Sequence, residues 1–221
     1  MKKLVCIFLA FFFILSVTIA QDGRIRVACI GNSITEGAAA SDRLNKGYVG
    51  LLRQMLGDKY DVRNFGVSGA TACRNTYKPY DQCELFLEAK KFQPNIVTIA
   101  LGTNDSQPRV WNSEAFAENF EKDLTYLCKE FANLESKPKI YLCLPMPIIP
   151  SEKWQHQPKV LSDEILPKIR KVAQEFGYEI IDFYTPLIGR IDCYPADDML
   201  HPNDLGHLIL AAQVYPKIYS K

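Results

Sequence analysis

The sequence has no excess of charge of either sign, with 26 Lys and Arg against 25 Asp and Glu in 221 residues. Without a basic surplus, no nucleic-acid partner is expected. Cys-x-x-Cys does not occur and the three histidines are scattered, so no metal is expected. Internal repeats, low-complexity tracts and long linkers are also missing, and length and composition then fit one domain with a sizeable core.

Only one long apolar run occurs, from Leu4 to Val17. Preceded by Lys2 and Lys3 and followed by Thr18-Ile19-Ala20, it reads as an export signal over residues 1–20, leaving one domain over 21–221. An uncleaved membrane anchor is the alternative, since the run is near the lower length limit for a spanning helix. A periplasmic or secreted location is expected, with no stable membrane insertion after cleavage. Removing residues 1–20 takes away two lysines and no acids, so 24 basic residues remain against 25 acidic ones. Six cysteines stay in the mature chain. Cys29 and Cys143 lie in strand-like runs and read as buried thiols, whereas Cys73 and Cys83 bracket a polar loop that a disulfide could staple.

The rest of the chain alternates short β-rich runs with helical patterns. Five strands are expected at 25–30, 60–65, 95–101, 139–144 and 179–183, with helices at about 45–56, 81–91, 113–133, 159–176 and 204–219. Strands that are almost wholly apolar are covered on both faces, which makes an α/β sandwich around a parallel sheet the expected fold. In such sheets, sites form beyond the carboxyl ends of the strands.

Four polar segments fall there: Gly31-Asn32-Ser33-Ile34-Thr35, Asn64-Phe65-Gly66-Val67-Ser68-Gly69, Gly102-Thr103-Asn104-Asp105 and Asp198-Met199-Leu200-His201. Ser33 at a strand-to-helix junction would aim its hydroxyl and its N–H into one space, although a capping serine is the plainer reading. Asp198, three residues before His201, can orient the imidazole and stabilise its protonated form. Ser, Asp and His in chain order point to acyl transfer. Gly69 can bring an N–H close to a substrate, and Asn104 can offer its side-chain amide; both could equally be local turn-formers. Asp197 is the alternative acid. Ser68 is the alternative nucleophile, in a near match to G-x-S-x-G that Ala70 breaks.

These segments resemble, in order and spacing, the four blocks of the SGNH (GDSL-type) hydrolase superfamily. The resemblance implies a flavodoxin-like three-layer α/β/α sandwich with a five-stranded parallel sheet and no metal or organic cofactor. It implies Ser33 as nucleophile, His201 as general base and then acid, and Asp198 as its orienter. Ser33 N–H, Gly69 N–H and the Asn104 amide would then form the oxyanion hole. One departure is Asn32, where the superfamily usually has Asp before the nucleophile.

The stretch from Leu101 to Trp111 is similar to one in carbohydrate-deacetylating members, including sialate and xylan O-acetylesterases. An exported serine esterase acting on O-acetylated carbohydrate is therefore expected, on a small-molecule or oligosaccharide ester. Arg109 could meet a sugar carboxylate and Trp111 could stack on a sugar ring, as could Trp154, Tyr77 and Tyr80. Each could equally pack its own loop or remain solvated. His156 falls in a loop near this region, and His207 reads as a packing or surface residue. The alternatives are a lysophospholipase or thioesterase of the same superfamily, disfavoured by the lack of a long apolar lid, and a non-catalytic carbohydrate-binding protein.

Overall fold

A computed structural model describes residues 23–112 and 114–219. The expected export signal lies outside the described residues. Five parallel strands, β1 (Ile25–Gly31), β2 (Tyr60–Gly66), β3 (Ile96–Ala100), β4 (Lys139–Leu144) and β5 (Glu179–Asp182), form one sheet in the order β2-β1-β3-β4-β5. Their apolar residues alternate between two cores. Ala28, Ile30, Val97, Ile99, Ile140 and Leu142 face one side, and Val27, Cys29, Tyr141, Cys143 and Ile181 face the other. Burial on both faces explains why the strands read as nearly continuous apolar runs.

Helices α1 (Ser33–Glu36), α2 (Tyr48–Leu56), α3 (Glu84–Lys91), α4 (Glu114–Ala132), α5 (Pro158–Val160), α6 (Leu166–Phe176) and α7 (Asp204–Ile218) complete the fold. Residues of α3, α4 and α6 fill the first core, and residues of α1, α2 and α7 fill the second. The result is the expected three-layer sandwich. The segment expected as one helix over 159–176 is interrupted by a π-helical turn, Leu161–Ile165. Pro167 has no N–H to give to the Asp163 carbonyl and its ring crowds that oxygen, which favours widening of the preceding turn.

All six described cysteines are free thiols, so the bridge weighed for Cys73 and Cys83 is not formed. Cys73 is buried, and Cys83 Sγ lies 3.5 Å from the Pro79 carbonyl oxygen. Among the described residues, no helix is long and apolar enough to cross a membrane.

His207 ties α7 to the segment that follows β1. Tyr48 N–H donates to its Nδ1 at 3.2 Å, and its Nε2–H donates to the Ala38 carbonyl at 3.0 Å. The ring also stacks on Tyr48, with centroids 6.5 Å apart. Burial pushes its pKa from 6.5 down to about 4. A lowered histidine pKa gives stability that is complete above the unfolded value and is lost as pH falls toward the folded one. Acidification from pH 6.5 to pH 4 should therefore remove about 3 kcal/mol through this side chain. Urea unfolding across that range checks this, since the His207→Phe variant should lose much of the slope.

Candidate active site

Strand β1 ends at Gly31, where a Cβ would meet the Thr35 side chain and lie 2.9 Å from the Ala100 carbonyl, so glycine is required for the chain to turn into α1. Asn32 caps that helix, its Oδ1 accepting from Ile34 N at 3.0 Å. The cap needs an acceptor oxygen, which Asn supplies as Asp would. Ser33 follows as the first helical residue, with no carbonyl one turn back to accept its N–H.

Ser33 Oγ lies 2.9 Å from His201 Nε2. On the far side of the ring, His201 Nδ1 lies 2.9 and 3.0 Å from the two oxygens of Asp198. Met199 between them adopts φ 60°, a left-handed turn that folds Asp198 back onto the imidazole. Asp198 Oδ1 also accepts from Leu200 N, His201 N and Trp154 Nε1 at 3.0, 2.8 and 3.2 Å. Burial alone would raise the Asp198 pKa, but bonds from the His201 backbone and ring outweigh it and hold the carboxyl below its ordinary range. Asp197 is exposed, and its side chain is not the one bonded to His201. Ser68 Oγ donates to Glu36 Oε2 at 2.5 Å and has no histidine partner.

Gly69 sits in the left-handed region at φ 80°, and among the described residues its N–H has no hydrogen-bond partner. Asn104 opens a 3₁₀ turn after β3, only 5% exposed. Its Nδ2 donates to the Ala70 carbonyl at 2.9 Å, leaving one amide N–H for the cleft. Next to it, fully buried Asp105 accepts from Ala72 N at 3.0 Å and Cys73 N at 2.8 Å, pinning the loop after β2 to the loop after β3. Burial raises the Asp105 pKa, partly offset by those amides.

Ser33, Gly69, Asn104 and His201 line one cleft of about 530 Å³, with Tyr77, Gln107, Arg109, Lys153, Trp154 and His156 among its other walls. A second depression of about 490 Å³ shares Ser33 and His201 with this cleft and is bordered by Ala38, Arg43 and Pro195. Arg109 is in the cleft, but its guanidinium stacks 3.5 Å above the Tyr77 ring and its Nε donates to Gln107 Oε1 at 2.8 Å. Trp111 is not part of the cleft wall. Its Nε1 donates to Glu164 Oε2 at 2.7 Å, and its ring packs edge-on against Phe120. Gln107, missed from sequence, donates to Asn104 Oδ1 at 3.2 Å and to Tyr77 Oη at 3.1 Å. Its position three residues after Asn104, at the end of the same short turn, was the available signal. Among the described residues, no group of three or more His, Cys, Asp or Glu side chains is placed to hold a metal ion.

The parallel α/β sandwich thus holds linked serine, histidine and aspartate side chains at the carboxyl edge of its sheet, where sites form in such folds. The chain belongs to the GDSL-like lipase/acylhydrolase family, whose model matches residues 29–209. It is 37% identical over 205 residues to an acetylxylan esterase of Xylanibacter ruminicola, a match covering 86% of this chain. The chain spans 42% of the length of that relative. Among solved structures, a putative arylesterase from Agrobacterium tumefaciens superposes with a TM-score of 0.71 at 20% identity, covering 88% of this chain and 98% of that one. A carbohydrate acetylesterase from Sinorhizobium meliloti does so with a TM-score of 0.70 at 18% identity and the same coverage. These two likenesses establish the shared fold.

Proposed function

We propose that this protein is a carboxylic ester hydrolase that removes O-acetyl groups from carbohydrate through a covalent acyl-enzyme. The observation that carries this reading is the 2.9 Å contact from Ser33 Oγ to His201 Nε2, continued to Asp198 beside unengaged amide donors. Ser33 Oγ attacks the ester carbonyl while neutral His201 takes its proton at Nε2. Asp198 keeps Nδ1 protonated and stabilises the imidazolium. The Ser33 and Gly69 N–H groups and Asn104 Nδ2 meet the charge that grows on the carbonyl oxygen, where loss of one donor typically costs about 10² to 10³ in rate. His201 then protonates the leaving alcohol, and afterwards activates the water that releases acetate.

The carbohydrate substrate is supported by the acetylxylan esterase relative and by a cleft whose wall includes Tyr77 and Trp154. We further infer that residues 1–20 direct export, which fits a polymeric substrate outside the cytoplasm, and that Arg109 meets the sugar. Comparing p-nitrophenyl acetate with the octanoate, then measuring acetate release from acetylated xylo-oligosaccharides, sialosides and pectic fragments, tests the reading. Faster turnover of acetyl than octanoyl esters is expected. A clear preference for long chains would instead support a lysophospholipase or thioesterase, and a folded protein that resists fluorophosphonate labelling would support a binding protein.

A further inference from the structure

Trp154 and His156 stand two residues apart on one loop and reach opposite ends of the same arrangement. Trp154 Nε1–H donates to Asp198 Oδ1 at 3.2 Å, and its ring meets the His201 ring edge-on, with centroids 5.3 Å apart and planes at 83°. His156 Nε2 lies 3.2 Å from Asn104 Oδ1. Since Asn104 Nδ2 is committed to the Ala70 carbonyl, Oδ1 must be the atom turned toward His156 and Gln107. An amide oxygen only accepts, so the tautomer that serves it has His156 Nε2–H and a bare Nδ1, and Gln107 Nε2, 3.1 Å from His156 Nε2, then gives its two N–H groups to Asn104 Oδ1 and Tyr77 Oη. That assignment agrees with the surroundings, because buried Nδ1 has no partner. The Trp154 and His156 rings also pack against each other, with centroids 6.1 Å apart.

We propose that Trp154 and His156 are positioning residues, Trp154 aiming the Asp198 carboxylate at His201 and His156 fixing the Asn104 amide so that an N–H faces the cleft. One loop thereby sets both the acid that supports the imidazolium and the donor that meets the oxyanion. The proposal rests on the reading of Ser33, His201, Asp198 and Asn104 given under Proposed function. Without the His156 donor, the Asn104 amide is freer to rotate and place its oxygen where negative charge develops. Without the indole N–H, Asp198 loses the one side-chain hydrogen-bond donor, other than His201, that it has among the described residues. Other charged or titratable groups around them are Lys153, 3.9 Å from Asp198 Oδ2, Arg109, His207 and Tyr77, and Arg43 and Asp197 in the depression that Asp198 and His201 also line.

The full chain carrying Trp154→Phe, His156→Leu or His156→Gln provides the test, with p-nitrophenyl acetate as substrate. Trp154→Phe should lower kcat about tenfold, the loss of one charge-assisted hydrogen bond, with KM little changed. Its acid limb should move to higher pH, because a carboxylate freed of one donor holds the imidazolium more tightly. His156→Leu should lower kcat about tenfold without moving that limb, and His156→Gln, which keeps an N–H donor, should recover most of it. A purely structural role would move neither the limb in one variant nor the rescue in the other. A wild-type kcat and pH profile for Trp154→Phe, or equal activity of the Leu and Gln variants, would overturn the proposal.

A readout independent of turnover separates this proposal from the reading beneath it. In a Trp111→Phe background, Trp154 emission should be quenched as His201 takes a proton, and the step should vanish in His201→Gln. A protein with that step but no esterase activity would sink the proposed function and leave the Trp154 contact standing. Because the His156 ring also packs on Trp154, the comparison is repeated with His156→Gln in place, and a step that still persists in His201→Gln would overturn the contact itself.

Discussion

Replacing Ser33 with alanine should abolish ester hydrolysis, lowering kcat about a million-fold, the scale seen when a nucleophile acting together with its base is removed. The loss is large because Ser33 bears the hydroxyl in contact with His201, and without it the imidazole has no proton to take during attack. Ser68→Ala should retain turnover, since that hydroxyl is bonded to Glu36. Fold should survive in both, because Asn32 and not Ser33 caps α1. Initial rates on p-nitrophenyl acetate together with fluorophosphonate labelling check the pair. The assignment fails if Ser68→Ala is the inactive variant.

Changing Asp198 to asparagine should lower kcat about 10⁴-fold with little change in size or packing. The carboxylate accepts from two backbone amides, the Trp154 indole and the imidazole, all directed at its oxygens. An asparagine can offer only one acceptor oxygen to those donors. If the backbone amides and the indole keep it, the NH₂ group faces Nδ1 and forces the tautomer with its proton on Nε2. His201 then presents a donor to Ser33 instead of an acceptor, and the general base is lost. Single-turnover kinetics on the folded variant, beside Asp197→Asn as the control that should remain active, measures the effect.

The fold was readable because both faces of the sheet are covered, so the strands stand out as apolar runs, stopped by glycine at the ends of β1 and β2 and shortly after β3, and by Pro145 after β4. Expected and observed strand bounds differ little, as at β5, which stops at Asp182 because that side chain accepts from Tyr184 N and Thr185 N and turns the chain. Helix α1 was legible only as a strand-to-helix junction at Ser33 and not in its extent, since four residues give no periodicity. Ser33, Gly69, Asn104, Asp198 and His201, which the structure brings together, stood out in the sequence because each lies in a short polar segment at a strand end or before the last helix. Trp111 could not be placed, because its partner Glu164 is 53 positions away and draws it off the cleft. His156 was equally opaque, with no local motif and an Asn104 contact 52 positions distant.

The contact between Ser33 and His201 spans 168 positions of chain. On the proposed reading, the hydroxyl is in place once β1 and α1 have formed, yet it stays inert until α7 seats beside α2 and brings the imidazole with it. His207, bonded to Ala38 and Tyr48, clasps those two ends together six residues beyond His201. On that reading, hydrolytic competence requires the two ends of the chain to be joined, and a form with α7 detached is chemically silent.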